Sequence, residues 1–269
     1  MKKLLLLCMA FALLALVAGC GTERADEGYG TQLVFGSKKY NQINPLLNEY
    51  GVIEQVLFDG VMRRDVTGET VPGLAESYEY DPDTYTYVFR LRDDVRWHDG
   101  KPLRAADVKF TIEALQNPLM DALNAQNFED VREITEIDEK TVRIRLSAPN
   151  AAFLDYMVQP ILPAHLLVGH NLTNTGFFRR PVGTGPFRFD SWEADKEIVL
   201  VKNEDYYRGV PKIDSIVFKI IEDDVTEAQA LADGIIDAAD LAPTNAAQFM
   251  GNPAYRCYDM KTTDYRAIL

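Results

Sequence analysis

Two separated runs of alternating side chains constrain this chain most. Tyr85, Tyr87, Phe89 and Leu91 alternate with Thr86, Val88, Arg90 and Arg92. Val142, Ile144 and Leu146 alternate with Thr141, Arg143 and Arg145. Successive side chains of a strand point to opposite faces, so a period of two predicts strands with one face on a core. Residues 198–201 are apolar throughout and 216–221 are apolar but for Lys219, and both read as more deeply buried strands, with further short strands at 32–35 and 187–189. Helical spacing lies between these runs. Val108, Thr111, Ile112 and Leu115 share one helix face, and Asn117-Pro118 stops it. Thr226-Glu227-Ala228-Gln229 has capping-box spacing, which predicts a helix opening there and ending at Gly234. Strands and helices mix without regular βα alternation. The expected class is therefore α+β (mixed α/β) with mixed sheets.

The first residues set the compartment. Lys2 and Lys3 precede an apolar run over 4–17, and Val17-Ala18-Gly19 places small residues before Cys20. This is the layout of a secretory signal peptide. Only 16 residues separate Leu4 from Gly19 inclusive, whereas a spanning helix needs about 20. The pattern resembles the bacterial lipobox, whose cysteine carries lipid and becomes the mature N-terminus. A leader over 1–19 and lipidation at Cys20 are expected. Each buried methylene contributes about 0.8 kcal/mol, so two or more acyl chains anchor stably where one does not. The polar, glycine-containing stretch up to residue 30 reads as a tether between lipid and folded body.

Loss of Lys2 and Lys3 with the leader leaves 26 basic against 41 acidic residues, a net −15. A nucleic-acid partner is not expected, because phosphate binding calls for a basic surface. Of three cysteines, Cys8 lies in the leader and Cys20 at its end, so only Cys257 remains and no intrachain disulfide can form. Cys257 is expected to be a buried thiol, since free cysteine is among the most buried residue types.

No catalytic set emerges, and no cofactor or metal site is expected. The serines lack a Gly-x-Ser-x-Gly context. His98-Asp99-Gly100 reads as a turn in which His98 hydrogen-bonds locally, and His165 and His170 make no convincing ligand pair. Gly183-Thr184-Gly185-Pro186 lacks the Lys-Ser/Thr of a phosphate loop and reads as a backbone bend where two domains meet.

Two long stretches carry a family resemblance. The first runs from Leu74-Ala75-Glu76-Ser77-Tyr78 through residues 85–92 and Val95-Arg96-Trp97-His98-Asp99-Gly100 to Ala106-Asp107-Val108. The second runs from Pro181-Val182-Gly183-Thr184-Gly185-Pro186-Phe187 through Asn203-Glu204-Asp205-Tyr206-Tyr207 to Asp214, and residues 231–237 close it. Together they resemble the solute-binding proteins, family 5, of ABC importers, which take oligopeptides, dipeptides and nickel complexes. One departure is Arg104, where the family usually has a helix-capping Ser or Thr. Arginine cannot accept a hydrogen bond, so this helix start either frays or is compensated by Asp107.

The resemblance implies a periplasmic-binding-protein-like type II fold, cluster C. It implies a first lobe with a core subdomain (31–58 and 183–269) and an inserted one (59–182), with the second lobe missing. It also implies an extracytoplasmic, lipid-anchored, monomeric protein that delivers peptide ligands to a membrane permease and is not an enzyme. The ligand contacts expected from this lobe are Asn48, Glu49 and Tyr50. The alternative is a truncated lipoprotein that binds no solute and acts only through surface interactions.

Overall fold

A computed structural model describes residues 30–47 and 51–258. The chain runs β1 (Gln32–Ser37), α1 (Val52–Leu57), β2 (Met62–Arg64), β3 (Thr70–Pro72), β4 (Ala75–Asp81) and β5 (Thr86–Leu91). There follow α2 (Ala105–Gln116), β6 (Val131–Glu136), β7 (Thr141–Leu146), α3 (Phe153–Tyr156) and α4 (Ala164–Leu167). The last elements are β8 (Phe187–Glu193), β9 (Glu197–Lys202), β10 (Ser215–Ile220), α5 (Asp224–Ala232) and α6 (Pro243–Ala246).

Two four-stranded sheets result. One has the order β1-β10-β9-β8, with β1 parallel to β10 and the other pairs antiparallel. The other, β4-β5-β7-β6, is antiparallel throughout. The mixed α+β class follows as expected. The alternation holds with one exception: Phe89, Leu91, Val142, Ile144 and Leu146 are buried while Arg90, Arg143 and Arg145 face water, but Thr141, expected on the outer face, is buried as well. Each such large side chain removed from water contributes about 1.5–3 kcal/mol. One continuous apolar core joins both sheets, with Phe89, Val142 and Phe153 in the same cluster as Ile198, Leu200 and Phe218.

Tyr85 departs from the alternation. It precedes β5 with φ +55, in the turn that closes the β4–β5 hairpin. That turn is held by the Asp81 carboxylate, which accepts from the Asp83 amide (2.9 Å) and the Thr84 hydroxyl (2.7 Å). The demands of the turn override the side-chain period at this position.

Arg104 leaves no fraying helix. Asp107, three residues on, accepts from the Arg104 amide at 2.9 Å, which is half of a capping box. The same carboxylate accepts from the Trp97 indole (3.1 Å) and the Ala164 amide (2.8 Å). One buried side chain thus closes α2, orients Trp97 and holds the start of α4. At α5 the cap is Asp223 rather than Thr226. Its Oδ1 accepts from the Thr226 amide (2.8 Å) and hydroxyl (3.0 Å), so the helix begins at Asp224. Thr226 is the residue capped, since an aspartate with the right spacing stands upstream. Cys257 is exposed rather than buried. It lies beyond α6 in a stretch without regular structure.

The chain crosses between the two sheets at residues 57–61 and 180–186, and these crossings pack side by side. The Gly185 amide donates to Leu57 O (2.9 Å), and the Asp59 amide donates to the Thr184 hydroxyl (3.2 Å). A side chain at Gly183 would collide with the Leu57 carbonyl, and one at Gly185 would stand 2.5 Å from Val56 O. These glycines serve close backbone approach.

His98 seals the seam, and does so across the fold rather than within its own turn. Its Nδ1 accepts from the Gly183 amide (3.1 Å), its Nε2 donates to Gly185 O (3.0 Å), and its own amide donates to Gly183 O (2.8 Å). Only the neutral Nε2–H tautomer satisfies both ring contacts. Burial, the largest influence, pulls the imidazole down to about 4 from its usual 6.5. The unfolded chain therefore binds a proton that the folded chain refuses between pH 6.5 and 4. Relative to a His98→Gln variant, the wild type is expected to keep full stability above pH 6.5 and to lose about 3 kcal/mol by pH 4. Urea unfolding at stepped pH measures this; parallel curves for the two proteins would mean that the histidine is not held neutral.

Candidate functional site

In open sheets with parallel strands, ligands bind beyond the carboxyl ends of those strands. Here β1 and β10 run parallel, and Ala238 forms a parallel bridge to Phe35 on the other side of β1. Their carboxyl ends lead into Lys38-Lys39-Tyr40, into Glu222-Asp223-Asp224 with α5, and into the segment after Ala238.

Lys38 stands at the centre of this edge. Its ammonium donates to Asp224 Oδ1 (2.6 Å), Glu227 Oε2 (2.9 Å) and Ile221 O (3.3 Å). Partial burial works against its charge, but the two carboxylates outweigh that and raise it above the usual lysine range. Glu227 is buried, at 2% exposure, and lies against Gly36, where an added Cβ would sit 2.5 Å from Glu227 Oε1. A glycine inside a strand is the signal that could have found this contact, because it marks close approach by another group. Lys39 pairs with Asp195 (2.5 Å), and its amide donates to Glu222 (3.2 Å). Five carboxylates, Asp195, Glu222, Asp223, Asp224 and Glu227, therefore surround two ammonium groups at this edge.

Tyr40 follows on the same edge. Burial, and then the nearby Glu54, push its phenol well above the usual range, so it stays a neutral donor. Glu54 is fully buried in the first turn of α1. A Cβ at Gly51 would collide with the Tyr40 hydroxyl and stand 2.6 Å from Glu54 Oε2, so this position also depends on glycine. Asn48, Glu49 and Tyr50, expected to touch ligand, lie outside the described residues, as does Cys20. Among the described residues no three His, Cys, Asp or Glu side chains gather as a metal site, and no helix is long and apolar enough to cross a membrane.

The edge is thus a polar rim of backbone ends, ammonium–carboxylate pairs and a phenol, backed by a rigid sheet. Such a rim can hold a solute through hydrogen bonds. The model of bacterial extracellular solute-binding proteins, family 5 (middle), matches residues 69–268. The chain belongs to that family. Protein XP55 of Streptomyces lividans is 32% identical over 251 residues, covering 92% of this chain and 45% of XP55. NikZ of Campylobacter jejuni, solved in complex with Ni(L-His), is 33% identical with a TM-score of 0.77, over 82% of this chain and 45% of its own. The oligopeptide-binding protein AppA of Bacillus subtilis, solved with a nonapeptide, is 26% identical with a TM-score of 0.76, over 83% of this chain and 46% of its own. The chain spans less than half the length of each of these relatives. Its fold is the periplasmic-binding-protein-like type II fold, of which the described residues make one lobe.

Proposed function

We propose that this chain is the solute-binding component of an ABC importer, capturing peptides or nickel complexes and presenting them to a permease in the cytoplasmic membrane. The observation that carries this reading is the fold shared with two ligand complexes, one of a nonapeptide and one of nickel–histidine, over four-fifths of the chain. An extended peptide has unpaired backbone groups along its length. A polar rim beside a sheet can satisfy them with little regard to side chain. We assign residues 31–58 and 183–269 to the core part of the lobe and 59–182 to an inserted part. Ligand contacts are assigned to the carboxyl-end rim together with Asn48, Glu49 and Tyr50. The protein acts as a monomer without enzymatic activity.

Anchoring is the second half of the proposal. The leader over 1–19 is removed and Cys20 carries lipid, which keeps the protein on the outer side of the cytoplasmic membrane or in the periplasm. Cys20→Ala is expected to shift the protein from the membrane fraction to the soluble one, or to block its processing, and to lose label from a palmitate analogue. Equal label in variant and wild type would rule out the anchor. Calorimetry of the purified chain with a peptide mixture and with nickel–histidine tests solute capture. Heat from neither ligand would favour the alternative, a lipoprotein that works through surface contacts alone.

A further inference from the structure

Asp59 sits where the two crossings meet. Its amide donates to the Thr184 hydroxyl, and its carbonyl accepts from the Ile161 amide (3.0 Å). Oδ1 accepts from the Tyr206 hydroxyl at 3.3 Å. Oδ2 is closed off from solvent and has no hydrogen-bond partner among the described residues, although the residue as a whole is only half-buried. The Tyr207 hydroxyl is closed off in the same way. The groups facing the carboxyl are Arg63 from β2 and Tyr206, Tyr207 and Arg208 from the loop after β9. Arg208 reaches the Tyr206 hydroxyl (3.5 Å) rather than Asp59, and Asp59 has no ion pair among the described residues.

A carboxylate enclosed with one long hydrogen bond and one bare oxygen costs several kcal/mol, and the neutral acid avoids most of that cost. We propose that Asp59 is a proton switch at the seam: as the neutral acid it stays enclosed between the 203–208 loop and the 57–60 crossing, and on losing its proton to solvent its bare Oδ2 draws in water and opens that enclosure, against the Tyr206 hydrogen bond, which ionisation alone would strengthen. Burial, the largest influence, raises the carboxyl to about 7 from its usual 3.8, and the Tyr206 hydrogen bond and the two arginines only partly offset it. The Tyr206 phenol is itself pushed up to about 12 and so remains a donor throughout. The seam joins the two sheets, so its release loosens one part of the lobe against the other.

The sign follows from linkage. The folded chain holds a proton on Asp59 that the unfolded chain gives up above pH 3.8. The stability this contributes is full below 3.8 and is lost as pH rises through 7. Asp59→Asn keeps an acceptor for Tyr206 and cannot ionise. In urea unfolding of the full chain from pH 4.5 to 8.5, the unfolding constant of wild type relative to Asp59→Asn is expected to rise close to tenfold per pH unit up to about pH 6.5. It should level off above about pH 7. Comparing the two proteins cancels the opposite trend from His98. Hydrogen exchange reads the loop directly. The Tyr206 and Gly209 amides, bonded to Asn203 O (3.3 Å) and Tyr206 O (2.9 Å), should lose protection between pH 6 and 8 in wild type and not in the variant. A constant ratio of unfolding constants, or loop protection independent of pH, overturns the proposal. If the variant does not fold, carbon-13 titration of wild-type aspartate carboxyls decides. One carboxyl titrating near 7 supports the switch, and all of them titrating below about 5 refutes it.

Discussion

Gly183→Ala is expected to remove a large share of the stability of the fold. The added methyl would occupy the position of the Leu57 carbonyl. That carbonyl is main chain and cannot swing aside as a side chain would. Moving it breaks the Gly185 amide bond to Leu57 O and disturbs both bonds between Gly183 and His98, one to the His98 amide and one to its ring Nδ1. Each hydrogen bond contributes about 0.5–1.5 kcal/mol, and overpacking adds about 1–3. The expected total is about 3–6 kcal/mol, against the 5–15 typical of a whole domain. Gly176→Ala serves as the control, since nothing lies within 4 Å of a Cβ there. Urea unfolding of both variants checks the argument. If their midpoints agree, the two crossings do not pack as closely as described.

Asp107→Ala is the second large effect. The substitution strands three donors, the amides of Arg104 and Ala164 and the indole of Trp97. Hydrogen bonds to a charged acceptor are worth about 1.5–3 kcal/mol each, and donors left bare in the interior add their own desolvation cost. Burial pushes the Asp107 carboxyl upward while these three donors pull it back. Relief of the carboxylate's own burial cost offsets part of these terms, so a loss of about 3–5 kcal/mol is expected, with a weakened near-ultraviolet signal from Trp97 as its surroundings loosen. Asp107→Asn should recover less than half, because its amide nitrogen would face a donor. A cost under about 1 kcal/mol for alanine would show that the start of α2 does not depend on this side chain.

Both effects concern residues whose roles were only half visible in the sequence. Asp107 could be named as a compensating cap because α2 places it one turn from Arg104. Its hold on Ala164, 57 residues away, could not. Gly183 and Gly185 read as a bend, but the group they yield to, Leu57, lies far off in sequence. By sequence alone His98 belongs to its own turn, since local partners are all that a sequence displays. In the fold its ring spans 85 and 87 residues to reach Gly183 and Gly185. Lys38 with Glu227 is the same case: the expected strand ends at residue 35, and only the fold carries it past Gly36 and brings Glu227 of α5 against it.

The periodicities of 3.6 and 2 are properties of the local backbone, so the runs over 85–92, 108–115 and 141–146 by themselves determined which residues pack inward, except at Tyr85 and Thr141. Leu91, Val142 and Ile112 are buried on the faces that their spacing predicts. The motifs spread along residues 74–237 likewise determined the family, because their order and types are a property of the sequence alone. The tertiary structure decided the rest: the pairing of β1 with β10, the seam that His98 closes, the enclosure of Asp59, and the exposure of Cys257. Each of these depends on the low dielectric and close approach created when segments far apart in sequence exclude water between them. No single segment carries that property before the chain has folded.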